Sequence, residues 1–221
     1  MSLPVPLPVQ LLVLAKTPVP GRVKTRLCPP LTPAQAADVA AAALEDTLDA
    51  VRATPVARRV LVVDGDATAA GFDVVPQRAG GLDERLGGAF DDVAAAGLPA
   101  LLIGMDTPQV TPALLTAAAD ALLGSAAVLG LAADGGWWAL GLQAPDGGLL
   151  RGVATSRDDT GRRQLDRLTA AGLDTVALPV LSDVDTAADA VAVARAAPAG
   201  RFAALVAELI GDGPLLDVRA G

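Results

Sequence analysis

Residues 11–27 read LLVLAKTPVPGRVKTRL, an apolar run that stops in a loop broken by Pro18, Pro20 and Gly21 and carrying four cations. The only two lysines of the chain are here, so that Lys16, Arg22, Lys24 and Arg26 fall within eleven residues of a protein of net charge -8. Val9 to Ala15 has the pattern of a fully buried strand, which puts the loop at the carboxyl end of that strand, where open α/β sheets bind ligands. Cations gathered on an acidic chain call for an anionic partner, and the shape-fixing prolines and glycine favour a phosphate-bearing ligand. The alternative is a solvated loop whose cations pair with some of the 25 Asp and Glu residues.

Working outward, the chain alternates strands and helices. Thr32, Pro33 and Gln35 form a capping box that opens a helix from about Pro33 to Val51. Val60 to Val63 and Phe72 to Val75 read as strands. Leu82 to Ala96 reads as an amphipathic helix closed by Gly97, and Ala100 to Ile103 as a strand followed by a helix capped by Thr111. Val128 to Leu131 and Trp137 to Leu142 read as two strands joined by a tight turn at Asp134, Gly135 and Gly136. Trp137 and Trp138 then face opposite sides of the sheet, one in the core and the other free to line an acceptor pocket. Residues 154–163, ATSRDDTGRR, read as a polar, solvated loop placed where a lid could close. Val176 to Val180 reads as a further strand, and a helix starts near Thr186 with Asp189 completing a capping-type start. The last helix, about Arg201 to Ile210, packs its apolar face on the sheet or forms a dimer contact. This alternation predicts an α/β domain, a mostly parallel sheet with helices on both faces, over residues 9–211. Residues 1–8, with three prolines, read as a disordered leader, and 212–221 as a tail.

Composition removes whole classes of chemistry. With no histidine and no tyrosine, Ser-His-Asp triads, Cys-His dyads and histidine zinc sites are excluded, leaving carboxylates, cations and hydroxyls. A single cysteine, Cys28, allows no internal disulfide and suits a reducing, cytoplasmic setting. No apolar run reaches the roughly 18 residues of a membrane span, and a pI of about 4.4 argues against nucleic acid as a partner. A phosphatase with an aspartate nucleophile at the end of the first strand finds Ala15-Lys16-Thr17 there instead. A dinucleotide oxidoreductase lacks its GxGxxG.

Two acidic sites stand at strand ends. Asp106 follows the apolar strand at Ala100 to Ile103, between Gly104 and Pro108; Asp183 and Asp185 lie between the Val176 to Val180 strand and the next helix. Each has a plainer reading, Asp106 as an Asx turn and the pair as charges complementing a helix dipole. Together with the cationic loop they are what a divalent ion bridging phosphate oxygens requires, since magnesium takes one or two carboxylates and completes its shell with water and substrate phosphate.

The order AKTPVPGRVKTRL, QRAGGLDERL, IGMDTP, DGGWWALGL and DVDT resembles the GT-A superfamily of nucleotide-diphospho-sugar transferases, from about Val9 to Val193. Within it the chain looks most like radical-SAM/selenodomain-associated transferases, and more distantly like the guanylyltransferases of molybdopterin and phospholactate chemistry. The resemblance implies a single-domain, Rossmann-like three-layer α/β/α sandwich. It also implies that a nucleotide or nucleotide-sugar donor meets Lys16, Arg22, Lys24 and Arg26 through its phosphates, and Gln77, Gly81 and Leu82 through its base. Magnesium or manganese would sit at Asp106 and Asp185, with Asp183 in reserve, and Asp134, Gly135, Gly136 and Trp137 would border a small-molecule acceptor. Asp106, Lys24 and Asp185 are the residues it points to for catalysis. Two departures fall on the acceptor side: Trp137 replaces a tyrosine-like residue, and ATSRDDTGRR replaces a tryptophan-serine-threonine pattern. The implied reaction is glycosyl or nucleotidyl transfer, and the competing class is a nucleotide-binding module without turnover.

Overall fold

The computed structural model describes residues 5–211. The first strand, β1, runs Leu7–Lys16, so Leu7 and Pro8 belong to the sheet and not to the leader expected over 1–8. Leu7 donates its N–H to Pro55 O at 2.8 Å and pairs with Val56. Residues 1–4 of that leader and the 212–221 tail lie outside the described residues.

Six further strands follow: β2 Val56–Asp64, β3 Asp73–Pro76, β4 Ala100–Gly104, β5 Ala127–Ala132, β6 Trp137–Leu142 and β7 Thr175–Leu181. The helices are α1 Pro33–Ala53, α2 Leu82–Ala94, α3 Pro112–Leu123, α4 Thr160–Ala170, α5 Ala187–Ala196 and α6 Arg201–Leu209. One seven-stranded sheet has the order β3-β2-β1-β4-β6-β5-β7, and β6 alone runs antiparallel to its neighbours.

Side-chain alternation along β1 builds both faces of the core. Leu11, Val13 and Ala15 pack in one cluster with Leu44 and Leu48 of α1 and Leu115 and Leu122 of α3. Leu12 packs in a second cluster with Leu86, Phe90 and Val93 of α2 and Leu168 of α4. The result is the expected three-layer α/β/α sandwich with a mostly parallel sheet. Gln10 is the polar interruption in β1. It is fully buried and satisfied, its amide donating to Val93 O and Leu98 O at 3.1 and 3.0 Å while its oxygen accepts from Arg58 at 3.1 Å.

The capping residues act as the sequence predicts. The Thr32 hydroxyl accepts from Gln35 N and the Gln35 side chain accepts from Thr32 N, and Thr186 and Asp189 repeat the arrangement at α5. Two expectations are corrected. The ATSRDDTGRR segment is a loop only in its first half, because α4 begins at Thr160 and buries Thr160, Gly161, Gln164 and Leu168. Helix α6 does not lie on the sheet; its Phe202 and Val206 pack with Val39 and Ala43 of α1 and Val191 of α5.

Candidate functional site

The parallel strands β1, β4, β5 and β7 all end at one edge of the sheet. Because β6 is antiparallel, its beginning lies there too, bringing the Asp134–Gly136 turn and Trp137 beside the ends of the others. Two cavities open along this edge and meet at Leu14, Leu82 and Asp106.

The smaller cavity, about 270 Å3, is lined by Lys16, Arg22, Lys24, Gln77 and Met105. Lys16 is the last residue of β1 and its N–H contacts Met105 Sδ at 3.3 Å, while Arg22 is exposed on the loop. Lys24 holds a left-handed backbone, φ 48°, and its side chain is only 9% exposed. Its ammonium reaches inward, 2.5 Å from Asp106 Oδ1, and also donates to the Val184 carbonyl. Nearby, Arg85 pairs with Asp64 at 2.7 Å; that hydrogen bond, aided by the charges of Arg85, Lys16 and Arg22, holds the Asp64 carboxyl below the usual range. Gln77 is anchored by its amide, which donates to Ala15 O at 2.7 Å and Val62 O at 3.3 Å. Gly81 caps α2 with ordinary extended backbone, φ -65° and ψ 172°, and Leu82 starts that helix facing both cavities.

The larger cavity, about 480 Å3, takes its apolar side from Leu86, Leu102, Trp137 and Trp138 and its polar side from the loops. Trp137 and Trp138 do face opposite sides of the sheet. Trp138 is buried, with Nε1 donating to Pro179 O at 2.9 Å, whereas Trp137 is half-buried. Asp106, Asp134, Asp183 and Asp185 all line this cavity. Arg26 lines it as well, separated from the other three loop cations, and pairs with Asp185 at 3.1 Å. Two of the four cations therefore do pair with carboxylates, as the plainer reading of the loop holds. Those carboxylates, though, are the strand-end ones.

Asp183 is the most perturbed of the group. Burial, followed by the charge of Asp106 and then Asp134, pushes its carboxyl from 3.8 up to about 7. Among the described residues its Oδ1 is buried without a hydrogen-bond partner, and so is the hydroxyl of Thr107, a residue 1% exposed on the cavity wall. Buried polar atoms are nearly always paired, so these two oxygens on one wall are open to a partner from water or a ligand. Asp106 and Asp183, with Asp185 alongside, are the residues that could hold a divalent ion. Among the described residues no group of three acidic side chains is arranged to hold a metal unaided. That set fits magnesium-type binding, in which one or two carboxylates are supplemented by water and phosphate oxygens.

Thr107, Arg157, Ser156 and Leu86 line the larger cavity and were not singled out from sequence. Thr107 carried a usable signal, a hydroxyl directly after the strand-end aspartate in IGMDTP. Ser156 and Arg157 depend on how the β6 to α4 connection folds, and Leu86 on which face α2 turns inward. That connection is locked by glycines. A Cβ on Gly135, φ +90°, would stand 1.8 Å from the Asp158 carbonyl oxygen, and one on Gly161 would stand 2.4 Å from the Gly136 carbonyl oxygen. The Gly161 N–H donates to Gly135 O at 2.8 Å. Gly135 thus shapes the wall of the larger cavity from behind, while Asp134 and Gly136 line it.

The mostly parallel seven-stranded sheet with helices on both faces matches the nucleotide-diphospho-sugar transferase fold. It is shared with a crystal structure from Desulfovibrio desulfuricans G20, described as a candidate nucleotide-diphospho-sugar transferase, at a TM-score of 0.84 and 24% identity over 91% of this chain and 94% of that one. The chain itself belongs to a family described as an uncharacterized protein conserved in bacteria, DUF2064, whose model matches residues 32–157. Rv0371c of Mycobacterium tuberculosis H37Rv, solved in complex with manganese, shares the fold at a TM-score of 0.50 and 23% identity, covering 80% of this chain and 91% of that one. A cytidylyltransferase from Leptospira borgpetersenii shares it at 0.54 and 11% identity, covering 95% and 99%. At these identities the likeness is one of fold. No curated protein matches the sequence. Among the described residues, no helix is long and apolar enough to cross a membrane.

Proposed function

We propose that this chain is a metal-dependent transferase that uses a nucleotide-activated donor, an NDP-sugar or an NTP, and passes a glycosyl or nucleotidyl group to a small acceptor. The observation that carries this reading is the meeting of a cavity lined by three cations with one lined by strand-end carboxylates, at the shared residue Asp106. Donor phosphates would occupy the smaller cavity against Lys16 and Arg22, with Gln77 and Leu82 toward the base; lysine and arginine there neutralise phosphate oxygens. Asp106 and Asp183 would hold magnesium or manganese, and Asp185 the outer position it shares with Arg26. Such an ion would neutralise charge building on the leaving phosphate. Asp134, Gly136 and Trp137 would border the acceptor.

Lys24 has a distinct part in this reading. Its ammonium already neutralises Asp106 and ties the cationic loop to the segment carrying Asp183 and Asp185, so the carboxylates are held in place before a donor arrives. The resemblance to radical-SAM/selenodomain-associated transferases supports the glycosyl version.

The test is a thermal-shift panel of NTPs and NDP-sugars, with and without magnesium or manganese, on the native chain and on Asp106→Ala. A ligand that binds the folded state raises the midpoint by mass action. A metal-dependent rise with one nucleotide class, lost in Asp106→Ala, is the expected result. Absence of any nucleotide response overturns the transferase reading, and binding without product at any acceptor replaces it with a nucleotide-binding module.

A further inference from the structure

If the chain is a nucleotide-dependent transferase, the lining of the larger cavity carries information about the acceptor. Five carboxylates line it, Asp106, Asp134, Asp158, Asp183 and Asp185, against two guanidinium groups. Both guanidinium groups are already engaged, Arg26 with Asp185 at 3.1 Å and Arg157 with Asp159 at 3.4 Å. Lys24 also pairs with Asp106 at 2.5 Å, so with a divalent ion at Asp106 and Asp183 the wall carboxylates left without an ion pair among the described residues are Asp134 and Asp158. Beside these charges stands an apolar surface formed by the half-buried Trp137 with Leu82, Leu86 and Leu102. Thr107 adds an independent pointer: a hydroxyl on the same wall, in a residue 1% exposed, with no hydrogen-bond partner among the described residues.

We propose that this cavity selects an acceptor that bears hydroxyls and carries no anionic group, a sugar or polyol lying with one apolar face on Trp137, and hence that the reaction is glycosyl transfer; this rests on the transferase reading of the same site. Sugar rings have this mixed character, C–H on one face and hydroxyls at the edge. The hydroxyls would satisfy Thr107 Oγ1 and the carboxylates as hydrogen-bond acceptors. A sugar phosphate, the acceptor that nucleotidyl transfer would need in order to make a sugar nucleotide, brings up to two negative charges to a wall that already has an excess of them. In the step itself an acceptor hydroxyl oxygen bonds to the anomeric carbon of the NDP-sugar. The bond from that carbon to the phosphate oxygen breaks, its electron pair leaves with the nucleoside diphosphate, and the hydroxyl proton passes through a cavity carboxylate to water.

The chain contains its own reporter. It has two tryptophans and no tyrosine, so its near-ultraviolet emission comes from Trp137 and Trp138, both on this cavity. The full chain is titrated in magnesium buffer with methyl hexosides, 2-amino hexoses and hexose 1-phosphates, with and without the nucleotide that gives the largest thermal shift. Saturable quenching by a neutral or amino sugar, at least about tenfold tighter than by the matching phosphate, is expected. Asp158→Lys should narrow that gap to about twofold, since one exposed charge is reversed at unchanged backbone. Its unaltered emission maximum would show that the variant is folded. Tighter binding of the phosphates than of their parent sugars, or no quenching by any of the three groups, overturns the proposal. In either case the nucleotide thermal shift still reads the transferase proposal separately.

Discussion

The two walls of the site are held in different ways. The β1 to α1 loop is fixed by charge: Lys24 to Asp106 and the Val184 carbonyl, Arg26 to Asp185. The β6 to α4 connection is fixed by backbone lying on backbone, at Gly135 against Asp158, Gly136 against Gly161 and Gly87 against Gly147. Charge contacts can be exchanged for a ligand's charges, so the first wall can respond to a charged ligand. Close-packed backbone has no such freedom, and the second wall is a fixed mould.

Breaking the mould should have the largest effect. Gly135→Ala requires both a left-handed backbone and room that the Asp158 carbonyl occupies. A loss of at least about 3 kcal/mol is expected, or a fall in midpoint of roughly 6–12 °C in a thermal melt, together with loss of any ligand quenching of Trp137.

Next in size is Asp183, at the seam between the walls. Its folded-state pKa is raised from 3.8 to about 7, so the folded chain holds a proton that the unfolded chain releases. Stability therefore falls as pH rises from about 4 to 7 and stays at its lower level above that. Asp183→Asn should be more stable than the native chain by about 2 kcal/mol at pH 8, with the advantage shrinking toward pH 4. Melts across that range read it, and a pH-independent difference would contradict the assignment. Because a bound divalent ion needs the carboxylate, metal affinity should rise with pH through about 7 in a titration of the native chain.

Loosening the charged wall should cost less in stability and more in binding. Lys24→Met leaves Asp106, which is 46% exposed, to be solvated. The midpoint should drop by the equivalent of about 1 kcal/mol, while the dissociation constant of the preferred nucleotide rises about tenfold, measured by titration. Arg26→Ala is the smallest change. Its pair with Asp185 is open to solvent at both ends, 75% and 43% exposed, so stability should stay within about 0.5 kcal/mol in denaturant melts.

The charged wall is also the one that could be read in the sequence. Buried runs such as Val9 to Ala15 and Ala100 to Ile103 announce parallel strands, and Pro, Gly and cations mark the loop between. Strand order and direction were not legible in that way. The run Trp137 to Leu142 looks the same whether parallel or antiparallel, and only its pairing with β4 and β5 settles it. Helix α4 was hidden because its first turn is Thr-Gly-Arg-Arg; of its buried positions, Thr160, Gly161, Gln164 and Leu168, only Leu168 is a large apolar residue, too little to announce a helix. At Asp183 and Asp185 the sequence offers two carboxylates two residues apart. Which one turns inward depends on loop geometry after β7: the structure buries an oxygen of Asp183 and sets Asp185 against Arg26.

The reversed strand β6 has one further consequence. Having started at the site, it carries the chain to the far edge of the sheet, and residues 143–159 must climb back along α2 to reach the cavity again. On the way Gly147 N donates to Asp91, Arg151 pairs with Glu84 and Asp91, and Gly152 N donates to Asp83, all on α2. The same helix begins with Leu82, which touches both cavities. Loop grafting meant to reshape the larger cavity would therefore fail if residues 143–159 were exchanged alone. The unit of transplantation is that segment with α2, and recombination between relatives that splits the two should yield chains whose two cavities no longer fit together.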